Sequence, residues 1–395
     1  MYSKLLVRAL AMPVALLIIS TGCKKKMSGY FRNEIDSISI TWVPDFREGV
    51  FDVKLYETDK GLVLKGETDV PQAREAVVEF LKSKNVSFAD SLVLLPDKKV
   101  ITKPWGLVDV SVCNIRASSS NEVEMVTQAL MGTPVRILKK ESGWFLIQTP
   151  DKYIGWVDSD AVTSMAEQDM ANWKSSPRLF YLKKTGDVLA DPNSGRVVSD
   201  IVCGCIVVRK GDGGSLSEVI LPDGRTGFIR KEDAIPLSEL TTGRFLSAGN
   251  LIRTAESFMG IPYLWGGTSS KGFDCSGFVK TVYYLNGLIL SRDASQQFGY
   301  GTRIRRSFYP DSLKAGDLLF FGPPGRGRPR ATHVGMYIGN TEFIHASGMV
   351  RISSLDSTRS NFRRFRRDTF IGVRRIIGAE PGKGLQPVSS HDWYY

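Results

Sequence analysis

The chain has 395 residues, of which 42% are hydrophobic and 24% charged, with a formal net charge of +11. That length suits two to four globular domains of ordinary composition. The positive charge alone suggests a polyanion, but no zinc-finger spacing, aromatic RNA-binding pattern or helix-turn-helix signal supports nucleic acid; no segment after the N-terminus approaches the roughly 18 apolar residues of a membrane span.

Residues 1–22 read as a signal peptide, with Lys4 and Arg8 before the apolar LAMPVALLIIS and small residues before Cys23. Gly22-Cys23 resembles the cleavage and acylation site of bacterial lipoproteins, although Ser20 stands where leucine is usual. Acylation of Cys23 would anchor the chain to a membrane, and the three lysines at 24–26 suit an anionic surface. The expected location is the cell envelope. The plainer alternative is a secreted protein cut nearby.

Residues 27–104 read as a small α+β region. ISITWV (38–43), VFDVKLYE (50–57) and GLVLKGET (61–68) have strand character, and 72–83 is an amphipathic helix following Pro71. The region holds no catalytic constellation, and its expected role is to pack or to shape a cleft.

Residues 105–236 contain an internal repeat at an offset of 72. TPDKYIGWVDSDAV (149–162) aligns with LPDGRTGFIRKEDAI (221–235), and MVTQALMGTPVRIL (125–138) with VVSDIVCGCIVVRK (197–210). Each copy, 105–165 and 178–240, is expected to form a small β-barrel of short strands between Gly, Pro and Asp turns. Residues 163–177 read as a polar, partly helical linker. Cys203-Gly204-Cys205 reads as a strand with both sulfurs on one face, its cysteines small apolar packing residues rather than zinc ligands or a disulfide.

The most informative stretch is GIPYLWGGTSSKGFDCSGFV (260–279). A glycine-rich loop delivers Cys275 to the first turn of a helix, where the positive dipole end favours a thiolate nucleophile. Of the three histidines, His333 opens one strand (THVGMYIGN) and His345 closes the next (TEFIHAS). A short turn between antiparallel strands would set both imidazoles side by side, His333 as base and His345 orienting it. Asp317, in GDLLFF, reads as a turn residue opening a strand. The basic run 359–367 reads as a solvated face, and 381–395, with His391, as a poorly ordered tail.

PYLWGG, DCSGF, GDLLFF, HVGMYIG and FIHAS in this order resemble the NlpC/P60 family of cell-wall cysteine peptidases over about 250–375. The resemblance implies a papain-like catalytic domain at 245–380, in a multidomain α+β chain, with Cys275, His333 and His345 as catalytic residues. VCNIRASSS (112–120) and the closing GW and GF strands resemble bacterial SH3 domains. Together these modules resemble γ-D-glutamyl-L-diamino-acid peptidases, in which the first barrel caps the active site and admits stem peptides with a free L-Ala amine. By that resemblance Glu124, Tyr153, Asp274 and Ser276 serve the amine end, Tyr263 the scissile carbonyl, and Arg292 and Asp293 the pocket wall. A serine often follows that pair, but Ala294 stands here and Ser295 follows.

The expected partners are peptidoglycan stem peptides, with no metal or organic cofactor, no nucleic acid, and a monomeric state. Two rivals stand beside this reading. One is an endopeptidase acting on intact, glycan-linked stems, and the other a non-catalytic wall-binding protein that uses its barrels. The sequence leaves L-Lys and meso-diaminopimelate equally open at the third position.

Overall fold

The computed structural model describes residues 29, 31–193, 195–240, 246–305, 312–323, 329–382 and 384–395. The expected leader, Cys23 and the lysines at 24–26 lie outside them. The described chain is multidomain α+β, built from a three-stranded sheet, two seven-stranded sheets and a six-stranded sheet, with two further two-stranded pairs.

In the N-terminal region, Phe51–Thr58 and Gly61–Thr68 form a hairpin, and Phe88–Leu94 pairs parallel to its second strand. The helix Pro71–Ser83 makes the crossover, with proline in the first turn where its missing N–H costs nothing. The expected strand at 38–43 is instead part of a helix, Arg32–Trp42. Phe31, Ile35 and Ile38, at helical spacing, pack into the same core, whereas Ile40 and Trp42 are exposed. The alternating β-branched residues suggested period two, but contact with the sheet selected the 3.6-residue face.

The two copies of the repeat have matching strands. Pro134–Glu141, Trp144–Gln148 and Ile154–Asp158 in the first answer to Ile206–Gly213, Leu216–Ile220 and Thr226–Arg230 in the second. All pairings within each seven-stranded sheet are antiparallel. The copies meet through the same turn. Gly132 (φ 75°) lies so near the Ile206 carbonyl that a Cβ would be 2.0 Å from its oxygen, and Gly204 (φ 93°) packs on Leu130. Gly204 also corrects the reading of 203–205, which is a turn between Val197–Ile201 and Ile206–Gly213 rather than a strand. Both flanking cysteines are buried, and Cys113, Cys203, Cys205 and Cys275 are all free thiols. Between the copies, Glu167–Ser175 is helical.

The six-stranded antiparallel sheet runs in the order Thr302–Ile304, Phe370–Arg375, Leu318–Phe321, His333–Gly339, Glu342–Ser347, Met349–Ser354. The helix Cys275–Tyr284 lies on it, burying Phe278, Val279, Val282 and Tyr283 against Val334, Met336 and Ile344. Asp317, as expected, is a turn residue before its strand, and Arg375 pairs with it at 2.8 Å.

The segment expected as a poorly ordered tail is packed. Leu385–Pro387 pairs with Leu288–Leu290. His391 and Tyr394 are buried, the His391 ring bonds the Pro150 carbonyl at 2.9 Å, and Arg178 donates to the Tyr394 carbonyl at 2.7 Å. Its polar composition concealed three aromatic contacts, including Trp393 edge-on to Trp105. Among the described residues no helix is long and apolar enough to cross a membrane.

Candidate active site

Cys275 is the first residue of its helix, as the motif predicts, and Asp274 caps that helix by accepting from the Gly277 N–H at 2.7 Å. Gly277 is required by close approach, since a Cβ there would sit 2.0 Å from the Gly267 carbonyl oxygen. The nucleophile helix is thereby pressed onto the glycine loop.

The hairpin places both histidines as expected. Strands His333–Gly339 and Glu342–Ser347 pair antiparallel through Asn340 and Thr341, both at positive φ. His333 Nε2 and His345 Nδ1 are 2.7 Å apart, and His345 Nε2 lies 3.0 Å from Ser353 Oγ. One consistent proton assignment has Ser353 accepting from His345 and His345 accepting from His333. Nδ1 of His333 is then its unprotonated nitrogen. Ser353 carried no signal in the sequence; it is found only because the next strand runs beside His345.

The electrostatics correct one expectation. Burial, with the Asp274 charge second, pushes the Cys275 thiol up to about 11, against smaller opposing effects of the Val334 and Ser276 backbone groups and Arg292. Burial also drives His333 well below its ordinary value, helped by His345 and Arg366, and lowers His345 to about 3. Burial thus opposes the thiolate that the first turn of a helix favours, and it favours the neutral form of both imidazoles. Arg366 supplies part of that field. It is half-buried over the Phe321 ring (5.7 Å), so one residue of the basic run expected as a solvated face turns toward the site.

Asp274, Ser276 and Arg292 come together, though not as an open wall. Arg292 is 1% exposed and binds both Asp274 carboxylate oxygens, Ser276 Oγ (3.0 Å) and Thr127 Oγ1 of the first barrel (2.9 Å). Asp274 also accepts from the Gly266 N–H (3.1 Å) and Ser276 Oγ (3.3 Å). A carboxylate has about four acceptor sites, so these contacts fill it. Asp274 and Arg292 thus hold the nucleophile helix, the glycine loop and the first barrel together. Burial opposes the Arg292 charge, but Asp274 raises its pKa further and keeps it ionised.

The first barrel sits directly on this assembly. A Cβ on Gly266 (φ 79°) would lie 2.3 Å from the Met125 carbonyl oxygen. Gln128 accepts from the Thr268 N–H (3.0 Å) and from Ser269 Oγ (3.1 Å). Glu124 accepts from Trp265 Nε1 at 2.6 Å, and the Tyr153 hydroxyl donates to Asp293 at 3.3 Å. Tyr263 is half-buried close enough to the thiol that burial and the Cys275 charge both raise its phenol. The side chains expected at the amine end thus gather where barrel and catalytic domain meet.

Two residues that the sequence gave no reason to notice reach the same place from the N-terminal region. Arg47 Nη1 donates to Asp293 Oδ2 (2.6 Å) and to Ser295 Oγ (3.0 Å), while Nε and Nη2 grip Asp45. Their partners in the catalytic domain lie 246 to 251 positions away along the chain, beyond the reach of any local pattern. Part of the loop before His333, residues 324–328, lies outside the described residues. Among the described residues, no group of three or more His, Cys, Asp or Glu side chains is placed to hold a metal ion.

Residues 260–367 match the model of the NlpC/P60 family, and residues 115–162 that of the bacterial dipeptidyl-peptidase SH3 domain. The chain is 30% identical over 270 residues to dipeptidyl-peptidase 6 of Lysinibacillus sphaericus, covering 65% of this chain and 94% of the relative. It is 29% identical over 235 residues to γ-D-glutamyl-L-lysine dipeptidyl-peptidase of Bacillus cereus, covering 58% of this chain and 68% of the relative. A solved NlpC/P60 family protein from Bacillus cereus superposes with a TM-score of 0.59 at 24% identity, over 69% of this chain and 99% of that one, a likeness of fold.

Two outcomes follow from the geometry. Arg292→Met leaves Asp274 buried and unpaired, and should destabilise the protein by about 3–5 kcal/mol, read as a lower unfolding midpoint. Alkylation of Cys275 by iodoacetamide should quicken about tenfold per pH unit from pH 6 to 9, because thiolate stays scarce below a raised thiol pKa. A rate flat across that range would show a preformed thiolate instead.

Proposed function

The chain belongs to the NlpC/P60 family, and from that premise we propose that it is a cysteine peptidase of peptidoglycan fragments, cutting the γ-D-Glu–diamino-acid amide bond of stem peptides with a free N-terminal L-Ala. The observation that carries this reading is the meeting of Glu124 and Tyr153 of the first barrel with Trp265 and Asp293 of the catalytic domain. It brings two carboxylates, Glu124 and Asp293, to the junction of barrel and catalytic domain. An ammonium ending there gains charge-assisted hydrogen bonds, whereas a glycan-linked stem lacks that charge.

The chemistry follows from the dyad. His333 Nδ1 takes the thiol proton as Cys275 Sγ attacks the scissile carbonyl, so charge appears only with substrate present. N–H groups in the helix's first turn, with Tyr263, receive the developing oxyanion. The C–N bond breaks as His333 returns the proton to the departing amine, leaving a thioester. Water, deprotonated by His333, then releases L-Ala-γ-D-Glu as the acid and restores the thiol. His345 and Ser353 hold the His333 ring in orientation.

We also propose that the protein is exported and lipid-anchored through Cys23, on the strength of the leader pattern and the Gly22-Cys23 pair. Radiolabelled palmitate should be incorporated into the wild-type protein and not into Cys23→Ala; a wild-type protein that takes up no label would argue against the anchor.

The central test compares L-Ala-γ-D-Glu-L-Lys with its N-acetylated analogue, using the purified soluble form and a Cys275→Ala control. The acetylated peptide should be cut at least about tenfold more slowly, the worth of one lost charge-assisted hydrogen bond, and the control should cut neither. Equal cleavage would point to an endopeptidase of intact stems. If neither peptide is cut, the pair is repeated with meso-diaminopimelate, and failure there would leave wall binding through the barrels.

A further inference from the structure

The segment 43–50 leaves the first helix and runs between barrel and catalytic domain. Its backbone is fixed on the barrel side: the Ile154 N–H donates to the Arg47 carbonyl (2.7 Å) and Gln148 Nε2 to the Glu48 carbonyl (2.9 Å). Its side chains are fixed on the other. Gln296 Nε2 donates to Asp45 Oδ2 (3.1 Å) and Glu48 Oε1 (2.7 Å), and Arg47 reaches Asp293 and Ser295.

Arg47 has little freedom to leave. Nε and Nη2 bind the two oxygens of Asp45 at 2.8 and 2.6 Å, and the Arg47 N–H donates to the same carboxylate at 3.0 Å. A guanidinium clamped in this fork is rigid, so only Nη1 faces Asp293. Burial opposes its charge, but Asp45 and Asp293 raise its pKa, and it stays a cation. The pair is not sealed, since the side chains of Arg47 and Asp293 are 24% and 29% exposed. Both Arg47 and Tyr153 engage Oδ2 of Asp293. A displaceable stand-in for a substrate ammonium would not be tied down at three other points; a strut would.

We propose that Arg47 is a positioning residue for amine recognition: from the N-terminal region it holds Asp293 in the rotamer that, beside Glu124 and Tyr153, meets the free amine of the substrate. The role rests on the function proposed above. It gives the N-terminal region a part in specificity, which packing alone would not. Ser295, two places beyond Asp293, is the second anchor of the same strut.

The test uses the full chain without its leader and two peptides, L-Ala-γ-D-Glu-L-Lys and the propionyl analogue that lacks only the amine. Wild type should prefer the amine peptide. Arg47→Ala should raise KM for that peptide about 10- to 100-fold, the worth of one charged hydrogen bond, with kcat and the propionyl peptide changed little. Arg47→Lys, able to make one bond but not the fork, should recover part of the loss. Unchanged Cys275 alkylation would show an intact nucleophile. If Arg47→Ala does not fold, Asp45→Asn, which loosens the fork, should raise KM in the same direction. Equal losses on both peptides would make Arg47 a merely structural residue and overturn the proposal. Unchanged discrimination in the variants would overturn it while leaving the amine reading intact. Equal cleavage of both peptides by wild type would overturn both.

Discussion

The arrangement depends on one buried ion pair, Asp274 with Arg292. Asp274 caps the nucleophile helix, holds the Gly266 N–H of the glycine loop and binds Arg292, which reaches on to Thr127 in the first barrel. Burying two charges is expensive, and such a pair adds little net stability over well-packed apolar side chains. What it gives is position. A charge that deep tolerates few alternative partners, so helix, loop and cap are held in one mutual register around Cys275.

The cap and the chemistry are linked through desolvation. Burial of the thiol and the imidazoles raises the one and lowers the others, and the barrel is seated on the glycine loop that leads to the same helix. In the same buried site the Ser353–His345–His333 chain of contacts fixes the orientation of the His333 ring. The N-terminal region extends the closure to a third side, through Asp45, Arg47 and Glu48.

Much of this was legible in the sequence where signal and structure are both local. The Gly-rich approach to Cys275, the two histidine strands and the hairpin at 50–68 are each written within a few consecutive residues. The repeat was legible because its glycines and apolar positions recur at one offset. The errors have a common cause, contacts between distant segments. Ile38 and Ile40 alternate like a strand but answer to a sheet that selects a helix. Gly204 turns the chain between two cysteines that otherwise read as strand. Arg47 and the aromatic packing of 391–394 depend wholly on partners far along the chain.

The raised thiol pKa of Cys275 also bears on how long the protein can last. It is the thiolate that attacks peroxides and disulfides, so a cysteine whose protonated form is favoured reacts slowly with both. A nucleophile held ready as a thiolate would be spent by an oxidising environment whether or not substrate arrived. The burial that raises the Cys275 thiol thus also protects its sulfur while no substrate is present.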